Sequence, residues 1–439
     1  MKFHVEHRET QDALFRTPFK FGAAIINALR VPHVQIRLEK NGSHAMGYGA
    51  MPLGNAWSYP GVPYDVSLEA MEALLERLAF CFDNQTLPDD IMEASRMLQR
   101  EAFSQARKLS AEWSERLTSP IPDLCALVVF STFDIALFDA WGRLGGRNSF
   151  DLLREQYPEY LDALSPKPSP ELFVFHAVGG VDALTPGEVT KSSGDDLPDD
   201  LQTWIARENL THFKIKLQGK DSEWDYQRVV AVDKVVSDYY VAAGGSPDIV
   251  FSLDLNEQCP SGDVLAGLLQ RLKADQPRAF RQIAFVEQPS PRNLDWSWDK
   301  ALSSAASLKP CVIDEGLASA EALDQALDAG YNGVCLKACK GIGFSVEMAA
   351  AARKNNLYIC VQDLTCPGLS LLAAASLASR TGVFGLEANA RQFCPSANFE
   401  SAVVYPEVFQ VRAGRMQTRR LNGEGLGYPL LSDGVAIRS

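Results

Sequence analysis

The chain is poor in positive charge. Against 55 acidic residues it sets 42 lysines and arginines, a formal net charge of −13. That excess favours solubility and argues against nucleic acid or an anionic membrane surface as a partner. No apolar run reads as reaching transmembrane length, and the first residues, Met1-Lys-Phe-His-Val-Glu-His-Arg-Glu-Thr10, hold no apolar signal core. A cytoplasmic protein that does not engage a membrane is the expectation. Zinc-knuckle spacing is missing too: Cys335 and Cys339 have no second pair at a matching distance. The nine cysteines are an odd number, and Cys311, Cys335 and Cys360 lie inside apolar runs, so they read as buried free thiols.

What is present is an ordinary globular composition, 46% hydrophobic and 22% charged over 439 residues, enough for two or three domains with a large core. The informative stretch runs from Phe213 to Lys337. Five short apolar runs there each contain or end in an ionisable side chain: Phe213–Leu217, Ile249–Asn256, Ile283–Pro289, Cys311–Glu315 and Gly333–Lys337. Runs rich in Val, Ile and Phe and separated by helix-like segments read as strands buried on both faces of a parallel sheet. Lys216 precedes Asp254 by 38 residues, Asp254 precedes Glu287 by 33, Glu287 precedes Asp314 by 27, and Asp314 precedes Lys337 by 23. Each interval holds one loop, helix, loop and strand. Such units close into an α/β architecture of the (β/α) barrel kind, which carries its chemistry at the carboxyl ends of its strands. A first strand at Leu172–Val178 and two later ones at Leu357–Asp363 and Val383–Asn389 complete eight.

Three carboxylates, Asp254, Glu287 and Asp314, are thereby brought to one mouth. Bare anions cannot share a pocket of low dielectric, and three hard oxygen ligands suit magnesium. Lys214 and Lys216, two apart on a strand, point the same way, and each ammonium is expected to lower the other's hold on its proton. Lys337 arrives from the far side. A cation flanked by lysines suits removal of a proton next to a carboxylate and stabilisation of the enediolate that forms. Asp314 is preferred to its neighbour Glu315 as the metal ligand, because Asp254 and Glu287 likewise follow their apolar runs directly.

With these residues in place the chain resembles the enolase superfamily, in its mandelate racemase/muconate lactonizing enzyme subgroup. The matching text is Phe213-Lys-Ile-Lys216, Asp254-x-Asn256, Val286-Glu-Gln-Pro289, Ile313-Asp-Glu315 and Lys337-Ala-Cys-Lys340-Gly341, with Phe133-Asp-Ile-Ala-Leu-Phe-Asp139-Ala-Trp-Gly142 further upstream. The resemblance implies that Asp254, Glu287 and Asp314 bind Mg²⁺, with Mn²⁺ a substitute. It implies that Lys216 and Lys337 are the acid/base pair on opposite faces of the substrate, and that Lys214 tunes Lys216. It also implies a modified (β/α)7β barrel over residues 166–400, an α+β capping domain over 1–165, a C-terminal segment over 401–439 that returns to the cap, and a symmetric homo-oligomer.

The cap's own signals are a strand at Val34–Leu38, an Asn41-Gly42 hairpin turn, a return strand at Met46–Ala50, and helices over Val66–Phe82, Asp89–Ala111 and Ala126–Leu144. Two of its loops, Arg16–Gly22 and Met51–Tyr59, are rich in aromatics and turn residues. Phe19, Lys20, Asn55 and Trp57 are candidates to touch substrate there, or, in the case of the aromatics, to pack the cap onto the barrel. His176, Asn256, Asp363 and Glu387 are candidates at the rim. Glu387 either orients substrate, holds Lys337, or pairs with Arg391. The glycines of the tail, Gly423, Gly425 and Gly427, read as a turn and not a phosphate loop.

The preferred function is a magnesium-dependent racemase or epimerase acting on a small-molecule carboxylate. A syn-elimination lyase (dehydratase) or a cycloisomerase uses the same site. The alternatives of other classes are a non-catalytic carboxylate-binding barrel and a Schiff-base aldolase, the latter leaving the carboxylates without a task. The eighth strand reads Glu387-Ala-Asn389 where dipeptide epimerases of the resembling family carry Asp-x-Asp, and the seventh lacks the histidine of mandelate racemase, so those two readings fall in rank.

Overall fold

The computed structural model describes residues 1–21 and 24–428, without the side chains of 18–21, 24, 25 and 296. Its N-terminal part is a four-stranded antiparallel sheet in the order β3-β2-β1-β4, made of β1 (Lys2–Phe21), β2 (Ala24–Lys40), β3 (Ser43–Ala50) and β4 (Gln85–Thr86). Three helices cover it, α1 (Tyr64–Phe82), α2 (Ile91–Glu112) and α3 (Asp123–Leu144). Asn41 and Gly42 both take positive φ in the β2–β3 turn, the conformation that this dipeptide favours. Strand β3 meets α3 so closely that any side chain at Gly47 or Gly49 would run into the backbone at Ala136 or Thr132. Glycine at both positions is what lets sheet and helix touch.

Helix α3 corrects one expectation. It is long and apolar enough to cross a membrane, with a mean hydropathy of 1.7, yet it is buried throughout that stretch. The sheet lies on one side of it, and the turn Ala338–Lys340 and the helix Ile342–Lys354 lie on the other. A helix enclosed on every side reads as apolar all round.

The second part is a closed ring of eight parallel strands in chain order: β5 (Glu171–Val178), β6 (His212–Lys216), β7 (Val250–Asp254), β8 (Ile283–Glu287), β9 (Cys311–Ile313), β10 (Gly333–Leu336), β11 (Tyr358–Val361) and β12 (Gly385–Glu387). Strand β12 pairs back onto β5, and a short β13 (Arg415–Gln417) adds to β5 antiparallel. Phe175, Phe285, Val312, Cys335 and Cys360 fill the ring from inside and form its floor. All nine cysteines are free, as the sequence implies.

The tail binds both parts together. Gly425 O accepts from Ser149 N at 2.7 Å, and Leu426 N donates to Asp139 at 3.1 Å. Arg380, fully buried at the end of the helix Leu369–Arg380, donates to Asp151 at 2.7 Å and to Asn422 at 2.8 Å. A second tie is polar: Asp134 of α3 accepts from Ser95 at 2.6 Å and from Gly343 N at 3.1 Å, capping the barrel helix that follows β10.

Candidate active site

Register decides which side chains share the inside of the ring. Lys216 pairs with Asp254, Asp254 with Glu287, and Glu287 with Val312. Side chains two apart on a strand share a face, so Asp314, two beyond Val312, joins them. The same alternation turns Lys214, Ser252 and Phe285 inward one layer lower.

Five consecutive strands thus present lysine, carboxylate, carboxylate, carboxylate and lysine. Lys216 Nζ lies 2.5 Å from Asp254 Oδ2. Lys214 Nζ lies 2.8 Å from Glu287, 3.1 Å from Asp254 and 3.1 Å from Glu387, and donates to Gln362 Oε1 at 3.2 Å. Gln362 in turn donates to Glu287 Oε2. On the far flank Lys337 Nζ is 2.7 Å from Asp314 Oδ2. Lys340 grips the same residue, donating to its backbone oxygen at 2.6 Å and to Oδ1 at 3.1 Å. Gln288, at φ 35°, accepts from Asp314 N at 2.7 Å and so fixes the end of β9 against that of β8.

The electrostatics run against one expectation. Burial alone would strip the charge from Lys214, but Glu287, Glu387 and Asp254 outweigh it and hold the amine well above the ordinary lysine range. Lys337 is likewise raised, chiefly by Asp314, against its burial. The nearest charges are carboxylates, not the other amine, and proximity sets the sign. Burial lifts Glu287 to about 7, helped by Asp254 and Asp314, and lifts Glu315 to about 8, helped by Asp314. Asp254 is depressed because Lys216 and Lys214 overcome its burial.

Those shifts bear on a cation. The carboxylates at the mouth still repel one another after the lysines have paired with them, and the buried Asp314 Oδ2 makes no hydrogen bond of good geometry although Lys337 is near. Among the described residues no three His, Cys, Asp or Glu side chains stand together as a finished metal cage, since each carboxylate is turned to a lysine. The donors are all hard oxygens on adjacent strand ends, and they want more positive charge than they have. The set fits a divalent cation of the magnesium kind.

The remaining candidates scatter. Trp57 reaches the mouth: its Nε1 donates to Glu315 Oε1 at 2.9 Å and its ring lies 4.5 Å from Lys337 Nζ. Asn55 does not, being held inside the cap by Tyr64 O at 2.8 Å and Ser67 at 2.9 Å. His176 points out of the ring, since Ala177 beside it pairs with the inward Lys214; its ring meets Arg391 at 2.8 Å and Gln392 at 3.1 Å. Glu387 holds Lys214, while Arg391 pairs with Glu208 at 2.7 Å, so neither partner weighed for Glu387, Lys337 or Arg391, is the one it takes. Asp363 accepts from Cys366 N and Asn389 N, both at 3.1 Å, and ties two loops. The backbone of Asn256 turns at φ 45° and donates to Asp254 Oδ1 at 2.8 Å. The side chains of Phe19 and Lys20 lie outside the described residues. The sequence reading assigned no roles to Gln362, Lys340 and Gln288, and Glu315 entered only as the alternative to Asp314 for the metal. Counting in twos from Cys360 finds Gln362, and the Lys337-x-x-Lys340 spacing was visible.

The fold is that of a barrel whose buried charged side chains gather at the carboxyl ends of its strands. Residues 196–433 match the family described as enolase C-terminal domain-like, and the chain belongs to it, in the mandelate racemase/muconate lactonizing enzyme subgroup of the enolase superfamily. It is accordingly an isomerase or a lyase. No curated protein matches it by sequence. Among solved structures, it is similar to the L-Ala-D/L-Glu epimerase from Bacillus subtilis, with a TM-score of 0.65, 15% identity and coverage of 97% of this chain and 98% of that one. The 2-chloromuconate cycloisomerase from Rhodococcus opacus 1CP gives 0.62 and 17%, with 98% of both chains covered. The dipeptide epimerase from Enterococcus faecalis V583, complexed with Mg and the dipeptide L-Leu-L-Tyr, gives 0.61 and 16%, covering 97% and 99%. At such identities the likeness is one of fold.

Proposed function

We propose that the chain is a magnesium-dependent racemase or epimerase that inverts the carbon next to a carboxylate. One observation carries this reading: in strand order the two lysines bracket the three carboxylates, Lys216 on Asp254 at one end and Lys337 on Asp314 at the other. Asp254, Glu287 and Asp314 would hold the cation. Bound there, it supplies a Lewis acid that draws negative charge onto the substrate's carboxylate oxygens. One lysine takes the α-proton and the opposite one returns a proton to the other face, which inverts the centre. Lys214, gripped by Glu287, Gln362 and Glu387, stays charged and steadies the developing anion. Lys340 and Gln288 keep Asp314 in place.

The test is incubation in deuterated water with magnesium and, in turn, L-Ala-L-Glu, L-Leu-L-Tyr and a muconate, followed by proton NMR. Loss of the α-proton signal with no loss of water and no ring closure supports inversion. A lactone formed from the muconate replaces it with cycloisomerisation on the same residues.

A further inference from the structure

Trp57 sits on the single helical turn Asn55–Ser58 of the cap, and three contacts fasten it over the barrel mouth. Its Nε1 donates to Glu315, just past β9. Its backbone oxygen accepts from Arg292 Nη2 at 3.0 Å, in the loop after β8. Arg292 is itself gripped by Glu257, beyond β7, through Nε at 2.8 Å and Nη2 at 2.5 Å. One cap residue is therefore pinned directly to the loops after two successive strands, and through Arg292 to the loop after the strand before them. Its ring lies against the amine at the end of the fourth, with the centroid 4.5 Å from Lys337 Nζ.

On the opposite flank, among the described residues, no aromatic ring lies over Lys216 as Trp57 lies over Lys337. The Lys216 side chain keeps 30% of its exposure, against 5% for Lys337. Two amines of the same chemistry differ in their access to water.

We propose that Trp57 is a positioning residue that seals Lys337 from bulk water, leaving Lys216 as the lysine that exchanges freely with solvent. The geometry stands by itself, and the catalytic consequence rests on the proposed inversion reaction. In that reaction the α-carbon's C–H bond breaks, its electron pair passes into the carboxylate to give the enediolate, and the proton lands on the lone pair of the receiving lysine, which enters the step as the neutral amine while the opposite lysine enters it as the ammonium. On Lys216 that proton mixes with water. On Lys337 it stays and is handed back, so the two stereoisomers of a substrate exchange with solvent at unequal rates.

The test needs no substrate. The full chain, in magnesium chloride, is treated briefly with formaldehyde and cyanoborohydride, and methylation at each lysine is read by peptide mass spectrometry. In the wild type Lys216 is modified about tenfold or more faster than Lys337. Trp57→Ala brings Lys337 to within about threefold of Lys216, and Trp57→Phe, which keeps a ring, preserves most of the protection. Trp57→Leu gives the same comparison with less packing lost, should the alanine variant not fold. Equal modification in the wild type, or unchanged protection of Lys337 in the folded alanine or leucine variant, overturns the proposal. Protection that behaves as expected in a chain that exchanges no α-proton with any carboxylate probe leaves the shield standing and removes the inversion reading.

Discussion

The floor and the mouth of the barrel are built from the same strands, two residues apart. Phe285 lies below Glu287, Val312 below Asp314, Cys335 below Lys337, and Cys360 below Gln362. The lower layer is packed apolar surface apart from Lys214 and Ser252, and the next is lysines among carboxylates. The lower layer fixes where the strand ends stand. The upper one can then keep buried charges in place that would not hold a shape alone, because breaking a buried ion pair leaves an uncompensated charge. Stability belongs mostly to the floor and chemistry to the mouth.

Four experiments break or sharpen that division. Lys216→Ala, on the half-open flank, should slow α-proton exchange by about 10²–10⁴-fold while moving the melting temperature little. Early melting of this variant would show the mouth to be structural. Phe285→Ala should do the reverse, costing about 3–5 kcal/mol in denaturant unfolding while the folded fraction keeps its activity. Magnesium should raise thermal stability, by about 2.7 kcal/mol at a hundred times its dissociation constant, and chelator or Glu287→Gln should abolish the rise. The gentlest effect lies at Asp134, a buried acid with no lysine beside it. Its burial lifts the carboxyl from 3.8 to about 6. The folded state then binds the proton more tightly than the unfolded one, so stability should fall as pH rises from about 4 through about 6 and stay lower above. Asp134→Asn should flatten that slope in pH-dependent unfolding curves.

The mouth was legible because each of its strands announces itself twice, as an apolar run and as a charge at that run's end. Strand β1 was not. Lys2–Phe21 is dense in charged and polar residues and is held by pairing along β2 more than by burial, so no hydrophobic period marks it. At the end of β11 the acid drew attention and Asp363 was taken for a rim residue, whereas alternation from Cys360 assigns the inward place to Gln362. The raised affinity of Lys214 for its proton depends on distances across the ring that no linear spacing records. His176 and Trp57 were alike as lone residues in sequence, and only the register of β5 and the docking of the cap separate them.

Arg380 belongs at once to a barrel helix, to the cap through Asp151 and to the tail through Asn422. None of the three segments can peel away without stranding that guanidinium, so heating should trace a single endotherm and not a sequence of domain transitions. A proteolytic nick near residue 400 should accordingly release no barrel that persists without its tail.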